Sequence, residues 1–132
     1  MNPAARRYAK FERETASPER LMVLLFEAAL RHMRSAAAAL EAGRHADANR
    51  TLARANDIVA ELDATFDTAR HPKLGEQLGQ IYGFVSERLL LANARHDAAL
   101  AREAERVFAP VADGFARAVQ QLQAERARAA TP

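Results

Sequence analysis

Residues 17–43 read SPERLMVLLFEAALRHMRSAAAALEAG, and this stretch decides the class of fold. Ser17 is a favourable helix cap, Pro18 suits the first helical position, and Glu19 complements the positive end of the helix dipole. Apolar residues then recur at intervals of three and four until the glycine that closes the stretch, a residue that favours a helix end. The pattern predicts an amphipathic helix over residues 18–42.

The same helical spacing returns three times further along the chain. Apolar stripes predict a second helix over residues 46–66, a third from Pro72 to near residue 95, and a fourth that Asp97 caps. Pro110 lies inside the fourth pattern, where it removes a backbone donor and clashes with the preceding turn. We therefore expect a kink or a split at this position. Four long amphipathic helices with short links predict an all-α fold, an antiparallel four-helix bundle.

The two ends of the chain carry weaker patterns than its middle. We expect a short, flexible N-terminal segment over residues 1–16 and a helical bundle over residues 17–123. Residues 124–132 lack large apolar side chains, and we expect them to form a frayed C-terminal tail.

The composition excludes several classes of protein. The chain has 132 residues and no cysteine, so a disulfide, a zinc–thiolate site and a thiol nucleophile are excluded. Charged residues of both signs are interspersed and the net charge is only +2, so we predict no nucleic-acid partner. The sequence has no apolar signal-peptide core and no run of 18 apolar residues, which predicts no membrane insertion and a cytoplasmic location.

Two chemical functions of helical bundles can be compared with this sequence. A di-iron site needs Glu-x-x-His pairs, and none occurs, so we predict no metal and no other cofactor. A phosphotransfer module needs an exposed histidine, and His32 with Arg34 and Ser35 offers one, although the usual lysine and glycine are absent. We favour a partly buried, structural His32, predict no catalytic residue and expect a protein that is not an enzyme. A phosphotransfer module and a general helical adaptor or dimerisation domain remain alternatives.

Four groups of residues, taken together, are more specific than any one of them. The first comprises Tyr8, Thr15-Ala16-Ser17-Pro18, Leu21 and Leu24-Leu25-Phe26-Glu27-Ala28; the second is Ala55-Asn56-Asp57-Ile58-Val59 with Glu61-Leu62; the third is Leu78, Ile81-Tyr82, Phe84, Arg88-Leu89 and Ala92-Asn93; the fourth is Asp97. In their order and spacing, these groups resemble the flagellar secretion chaperone family FliS from Tyr8 to Val119. The sequence departs from the family pattern at Ala28, at residues 68–72 and at Phe115, where glycine, Gly-Gly and tryptophan are usual.

The resemblance implies a cytoplasmic type III export chaperone with a flagellar client. Such a protein binds the C-terminal segment of flagellin, prevents its premature polymerisation and supports flagellum assembly at the export apparatus. The resemblance implies no cofactor, and it leaves a homodimer open. Together with the apolar pattern, it assigns partner contacts to Tyr8, Phe11, Leu21, Leu25, Phe26, Asn56, Ile58, Leu78, Tyr82, Arg88 and Asn93.

Large apolar residues exceed what one narrow helical stripe requires. Met22, Phe26, Met33 and Phe84 widen the apolar surface, so they complete a broad core, form a dimer contact or line a groove for an amphipathic client. The N-terminal segment carries two of the eight aromatic residues, Tyr8 and Phe11. We expect this segment to fold over part of the client groove in the free protein, because both surfaces are apolar.

Overall fold

The described part of the chain, residues 17–131 together with Pro3, is all-α in the computed structural model. Within residues 17–131 there are four helices and no β-strand. The helices are α1 (Pro18–Glu41), α2 (His45–Thr65), α3 (Pro72–Arg95) and α4 (Ala98–Ala130). The predicted all-α four-helix fold is thereby confirmed.

Side-chain and left-handed caps set several of the helix ends. The Ser17 Oγ accepts a hydrogen bond from the backbone N–H of Arg20 at 3.2 Å, and Asp97 accepts one from the N–H of Ala99 at 2.9 Å. The link after α1 turns through Gly43, whose φ of +74° is a conformation that glycine adopts at little cost. These ends keep the links short, and short links between long helices produce antiparallel neighbours.

The four helices form a closed ring in which neighbours along the chain are neighbours in space. Each helix packs against the one before and the one after it, and α4 closes the ring against α1. Polar contacts join the start of one helix to the end of its neighbour. The Arg102 guanidinium lies 3.3 Å from the Glu41 carboxylate, and at the other end of the bundle Arg126 lies 3.3 Å from Glu19. The ring therefore has an up-down-up-down order, and we refer to the end that holds Glu19 as the proximal end.

The core is built of small residues around a few large ones. Fully buried alanines recur on every helix, among them Ala36, Ala55, Ala92 and Ala104, so the helix axes can approach closely. Met33, Leu62, Val85 and Phe108 are among the largest side chains buried at the centre.

We expected a kink or a split at Pro110, and the split is not present, because α4 is one helix from Ala98 to Ala130. Pro110 lies on the exposed side of that helix, and so does Arg106, whose carbonyl loses its usual hydrogen-bond donor. Water can satisfy an exposed carbonyl, so the break that a buried proline would force is avoided. The helix also continues to Ala130, through most of the range for which fraying is predicted.

Candidate functional site

An apolar groove opens near the proximal end of the bundle. Its volume is about 330 Å³, and α1, α3, α4 and the link after α2 all contribute to its walls. We call it the apolar groove; it is lined by Met22, Phe26, Phe66, Leu74, Leu78, Tyr82, Pro110, Val111, Gly114 and Phe115.

The inner wall of the apolar groove is a cluster of aromatic rings. The ring of Phe26 lies 5.1 Å from that of Phe115 and 5.4 Å from that of Phe108, and the ring of Tyr82 lies 6.4 Å from Phe108. These tilted contacts are in the range that favours aromatic pairs. Because Phe26 and Phe108 are buried, the cluster gives the groove a fixed floor.

The rim of the apolar groove comes from α3 and from the link between α2 and α3. Leu74 on the first turn of α3 is 48% exposed, and Phe66 in the link is half-buried with its ring 6.2 Å from that of His71. The Thr65 hydroxyl lies 3.6 Å from the sulfur of Met22, which joins the end of α2 to α1 beside the groove. The groove is therefore largely apolar and open to solvent at its α3 side.

Tyr82 is the residue of the apolar groove that carries a titratable group. Burial raises the pKa of its hydroxyl to about 12, and the negative charge of Asp63 raises the pKa in the same direction. The hydroxyl is therefore protonated at physiological pH, so it is a hydrogen-bond donor and adds no charge to the groove.

A second, more polar groove lies between α2 and α3. It has a volume of about 210 Å³ and is lined by Asn49, Leu52, Ala53, Asn56, Asp57, Leu89, Leu90 and Asn93. The Asn93 Nδ2 donates to the Asn49 Oδ1 at 3.3 Å, and the Ser86 hydroxyl donates to the Asn56 Oδ1. We call this surface the amide groove, because carboxamides from both helices line it.

The residues that the sequence assigns to partner contact divide between the two grooves. Phe26, Leu78 and Tyr82 meet in the apolar groove, on α1 and α3. Asn56 and Asn93 line the amide groove, on α2 and α3. Since α3 lies between α2 and α4 in the ring, the two grooves lie on its two flanks.

The other assigned residues lie outside both grooves. Leu25 and Ile58 are half-buried and pack against the core. Leu21 is 48% exposed on the first turns of α1 and lines neither groove. Tyr8 and Phe11 lie outside the described residues.

Arg88 joins α3 to α4. Its guanidinium lies 4.4 Å from the centre of the Phe84 ring, and its Nε lies 2.8 Å from the Glu103 carboxylate on α4. Both contacts are made within the bundle, so Arg88 has a structural role in holding α3 against α4.

The sequence pattern assigns several groove residues to the core and leaves others without a role. Val111 and Phe115 follow the apolar stripe of α4, Leu74 follows that of α3, and Phe66 ends that of α2. Asn49 is a single polar residue in a charged stretch, and no pattern in the sequence distinguishes it. The sequence does show apolar stripes wider than the core requires. Such stripes indicate that an apolar surface is exposed, but they do not show where on the bundle it lies.

The histidines do not form a reactive centre. His32 is half-buried; burial lowers its pKa, and so do the charges of Arg54 and Arg31. At the distal end of the bundle, the rings of His45 and His96 stack 4.0 Å apart. Among residues 17–131, no three His, Asp or Glu side chains converge as metal ligands would.

An apolar groove open to solvent, on a ring of helices, defines the class of protein. Such grooves bind the apolar face of a helix from another chain. None of the helices in the described ranges is both long and apolar enough to cross a bilayer. The fold and the site therefore describe a protein that binds other proteins.

Comparison with known proteins places the chain within that class. Residues 1–122 match the family described as "Flagellar protein FliS". The chain is 30% identical over 112 residues to the flagellar secretion chaperone FliS of Bacillus subtilis (strain 168), covering 85% of this chain and 83% of that protein. It is 29% identical over 102 residues to the FliS of Salmonella typhimurium, covering 76% of each. The chain belongs to the FliS family of flagellar secretion chaperones, and it is a chaperone rather than an enzyme.

Proposed function

We propose that this protein is a cytoplasmic type III export chaperone that binds the C-terminal segment of flagellin. Family membership supports a secretion chaperone, and the apolar groove is the observation that supports a helical client segment. Covering that segment would keep flagellin from polymerising early and would deliver it to the export apparatus in an unassembled form. A protein partner is required by this role, and no cofactor is.

The lining of the apolar groove suits an amphipathic helix. A helical segment presents apolar side chains at intervals of three and four residues, and these can be buried between α3 and α4. Phe26 and Phe115 provide the fixed inner wall, while Leu74 provides an exposed rim that the client would cover. The free energy of binding would then come mainly from removing apolar surface from water.

A client that becomes ordered on binding loses conformational entropy, so it needs a large contact surface. An apolar interface of that kind has two measurable signatures. The heat capacity falls on binding, and the affinity changes little between low and moderate salt because few exposed charges are paired. A steep loss of affinity with salt would contradict the apolar groove as the main site.

The test is a calorimetric titration of the protein with a peptide of the flagellin C-terminal segment. Leu74→Ser removes an apolar rim residue and should weaken binding by roughly tenfold, the loss of about 1.5 kcal/mol of buried surface. Leu21→Ser is a matched control, because Leu21 is equally exposed but lies outside the apolar groove. If Leu21→Ser weakens binding and Leu74→Ser does not, the client lies elsewhere.

The alternative of phosphotransfer is tested by the same titration. His32→Ala should leave the affinity for the flagellin peptide unchanged, because His32 lines neither groove. A wild-type protein that fails to bind the peptide in any salt condition would refute the proposed function.

A further inference from the structure

The proline inside α4 gives the apolar groove a polar feature that its lining side chains do not supply. Pro110 has no backbone N–H, so the carbonyl of Arg106, one turn earlier, lacks the donor that normally closes an α-helical turn. Among the described residues, side-chain hydrogen bonds to backbone carbonyls come from Thr51, Thr65 and Thr131, and none of them reaches Arg106. The Arg106 carbonyl therefore keeps the capacity to accept a hydrogen bond.

This carbonyl lies at the rim of the apolar groove. Pro110 is exposed and lines the groove together with Val111 and Gly114 of the same helix. The ring of a helical proline lies against the carbonyl four residues earlier, so the Arg106 oxygen is next to a groove residue. Helical carbonyls point toward the C-terminal end of their helix, which for α4 is the proximal end, where the groove opens. The acceptor is therefore directed toward the client site.

The side chain of Arg106 extends away from its carbonyl. In an α-helix the Cα–Cβ bond is tilted toward the N-terminal end, which for α4 is the distal end of the bundle. The guanidinium and the carbonyl thus leave the residue in opposite directions along the helix. A substitution of the side chain can consequently be separated from a change at the carbonyl.

A bound client would change the surroundings of the carbonyl. In the free protein, water can donate to this exposed oxygen. A client that covers Pro110 removes that water, and an acceptor buried without a donor is costly. Backbone N–H groups in the middle of a client helix are already bonded, so the new donor has to come from a side chain. The carbonyl would therefore discriminate against a client that is apolar at this position.

We propose that the Arg106 carbonyl, left open by Pro110, selects a client segment with an amide or hydroxyl side chain beside the apolar residues that enter the groove. The proposal rests on the proposed function, because the segment is the one that the apolar groove holds. Asn, Gln, Ser and Thr carry a donor without a charge, which suits a rim from which water is excluded. The apolar walls provide the affinity, and the carbonyl determines which segment fits.

The test is a double-mutant cycle between the groove and the client. Peptides of the flagellin C-terminal segment, each with one Asn, Gln, Ser or Thr replaced by alanine, are titrated calorimetrically into the wild type and Pro110→Ala. Pro110→Ala restores an N–H for the Arg106 carbonyl and introduces a helix former, so it should fold and melt at a higher temperature. We expect one peptide substitution to weaken binding about tenfold with the wild type and less than about twofold with Pro110→Ala.

Two further variants separate the carbonyl from the other properties of this turn. Pro110→Leu also restores the N–H but keeps a large apolar side chain at the rim, so it should behave as Pro110→Ala does. Arg106→Ala removes the guanidinium and keeps both the carbonyl and Pro110, so the sensitive peptide should lose as much affinity as with the wild type. Circular dichroism and the melting temperature establish that each variant is folded.

The failures of this test are distinguishable. A wild-type protein that does not bind the unsubstituted flagellin peptide overturns the proposed function and this inference with it. Wild-type binding in which every peptide substitution has the same effect, within about twofold, on the wild type and on both Pro110 variants overturns the inference alone. A sensitive peptide that becomes insensitive with Arg106→Ala also overturns it, because the guanidinium would then be the determinant.

Discussion

At the scale of single residues, Ser17 has a defined structural position at the start of α1. Its hydroxyl accepts from the Arg20 N–H at 3.2 Å and donates to the Glu19 carboxylate at 2.6 Å. We expect Ser17→Ala to lower the free energy of unfolding by about 1 kcal/mol, the usual loss when a helix cap is removed. Chemical denaturation of the variant and the wild type measures this difference, and an unchanged midpoint would argue against the cap.

Glu19 makes the stability of the proximal end depend on pH. The hydrogen bond from Ser17 and, to a smaller extent, Arg126 lower the pKa of Glu19 below its usual value of 4.5. A lowered pKa means that the charged form contributes stability above the unfolded-state pKa and that this contribution is lost as the pH falls through the folded-state pKa. Glu19→Gln should therefore melt below the wild type at pH 7, and the difference in melting temperature should disappear as the pH falls through the folded-state pKa of Glu19. A difference in melting temperature that persists in acid would show that the charge of Glu19 is not its cause.

At the scale of secondary-structure elements, the sequence was sufficient for the helices and their starts. Ser17 and Asp97 are capping residues with helical patterns after them, so their local chemistry alone places the beginnings of α1 and α4. Pro110 was misleading, because its effect depends on whether the carbonyl one turn earlier faces water or protein. The direction in which that carbonyl faces depends on how the helices pack, and a local sequence pattern does not give this information.

The link between α2 and α3 is held closely against the start of α3. A Cβ atom added to Gly75 would lie 2.7 Å from the Thr68 Cγ2 and 3.0 Å from its Cβ. Gly75→Ala should therefore displace the link and with it Phe66, a wall of the apolar groove. We expect this displacement to offset the gain of up to about 1 kcal/mol that alanine brings to a helix.

Gly83→Ala, on the same helix, is the control, because a Cβ at Gly83 would have no packing neighbour within 4 Å. It should raise the free energy of unfolding by about 0.5–1 kcal/mol. Thermal melting of both variants and titration with the flagellin peptide provide the comparison. Equal stabilisation by both substitutions, with equal affinity, would show that the link moves freely.

At the scale of the whole molecule, the ring of helices follows from the sequence but its grooves do not. Periodicity identifies the apolar face of each helix, and so it assigned Phe26, Leu78 and Tyr82 correctly to apolar surfaces. The apolar groove, however, requires residues from α1, α3, α4 and a link to meet in space. The distance between helix axes at one end of a bundle depends on how the side chains of all four helices pack together. For that reason neither Phe66 nor Asn49 could be assigned from its own segment.

The predicted cover over the client site is also a property of the whole molecule. The helix α1 begins at the proximal end, where the apolar groove opens, and we expect Tyr8 and Phe11, which precede α1 in the sequence, to compete with the client there. Deleting residues 1–14 keeps the Ser17 cap, and it should tighten binding of the flagellin peptide by about tenfold or more, because burying one aromatic side chain is worth roughly 1.5–3 kcal/mol.

The same deletion should increase the fluorescence of a hydrophobic dye added to the free protein, because it uncovers the groove. Calorimetry measures the first effect and a dye titration the second. Weaker peptide binding by a deletion variant that is still folded would identify residues 1–14 as a client-contacting arm instead of a cover.

The position of the apolar groove at one end of the ring determines where a spectroscopic reporter can be attached. The chain contains no cysteine, so one introduced thiol takes a maleimide dye at a single position. Ala46→Cys puts the dye beside the stacked imidazoles at the distal end, two helix turns or more from the apolar groove. Gln77→Cys puts it on an exposed site next to Leu78. Energy transfer from a client labelled at one end to each of these two dyes would show in which direction the client chain runs along the bundle. An affinity measurement does not give this direction.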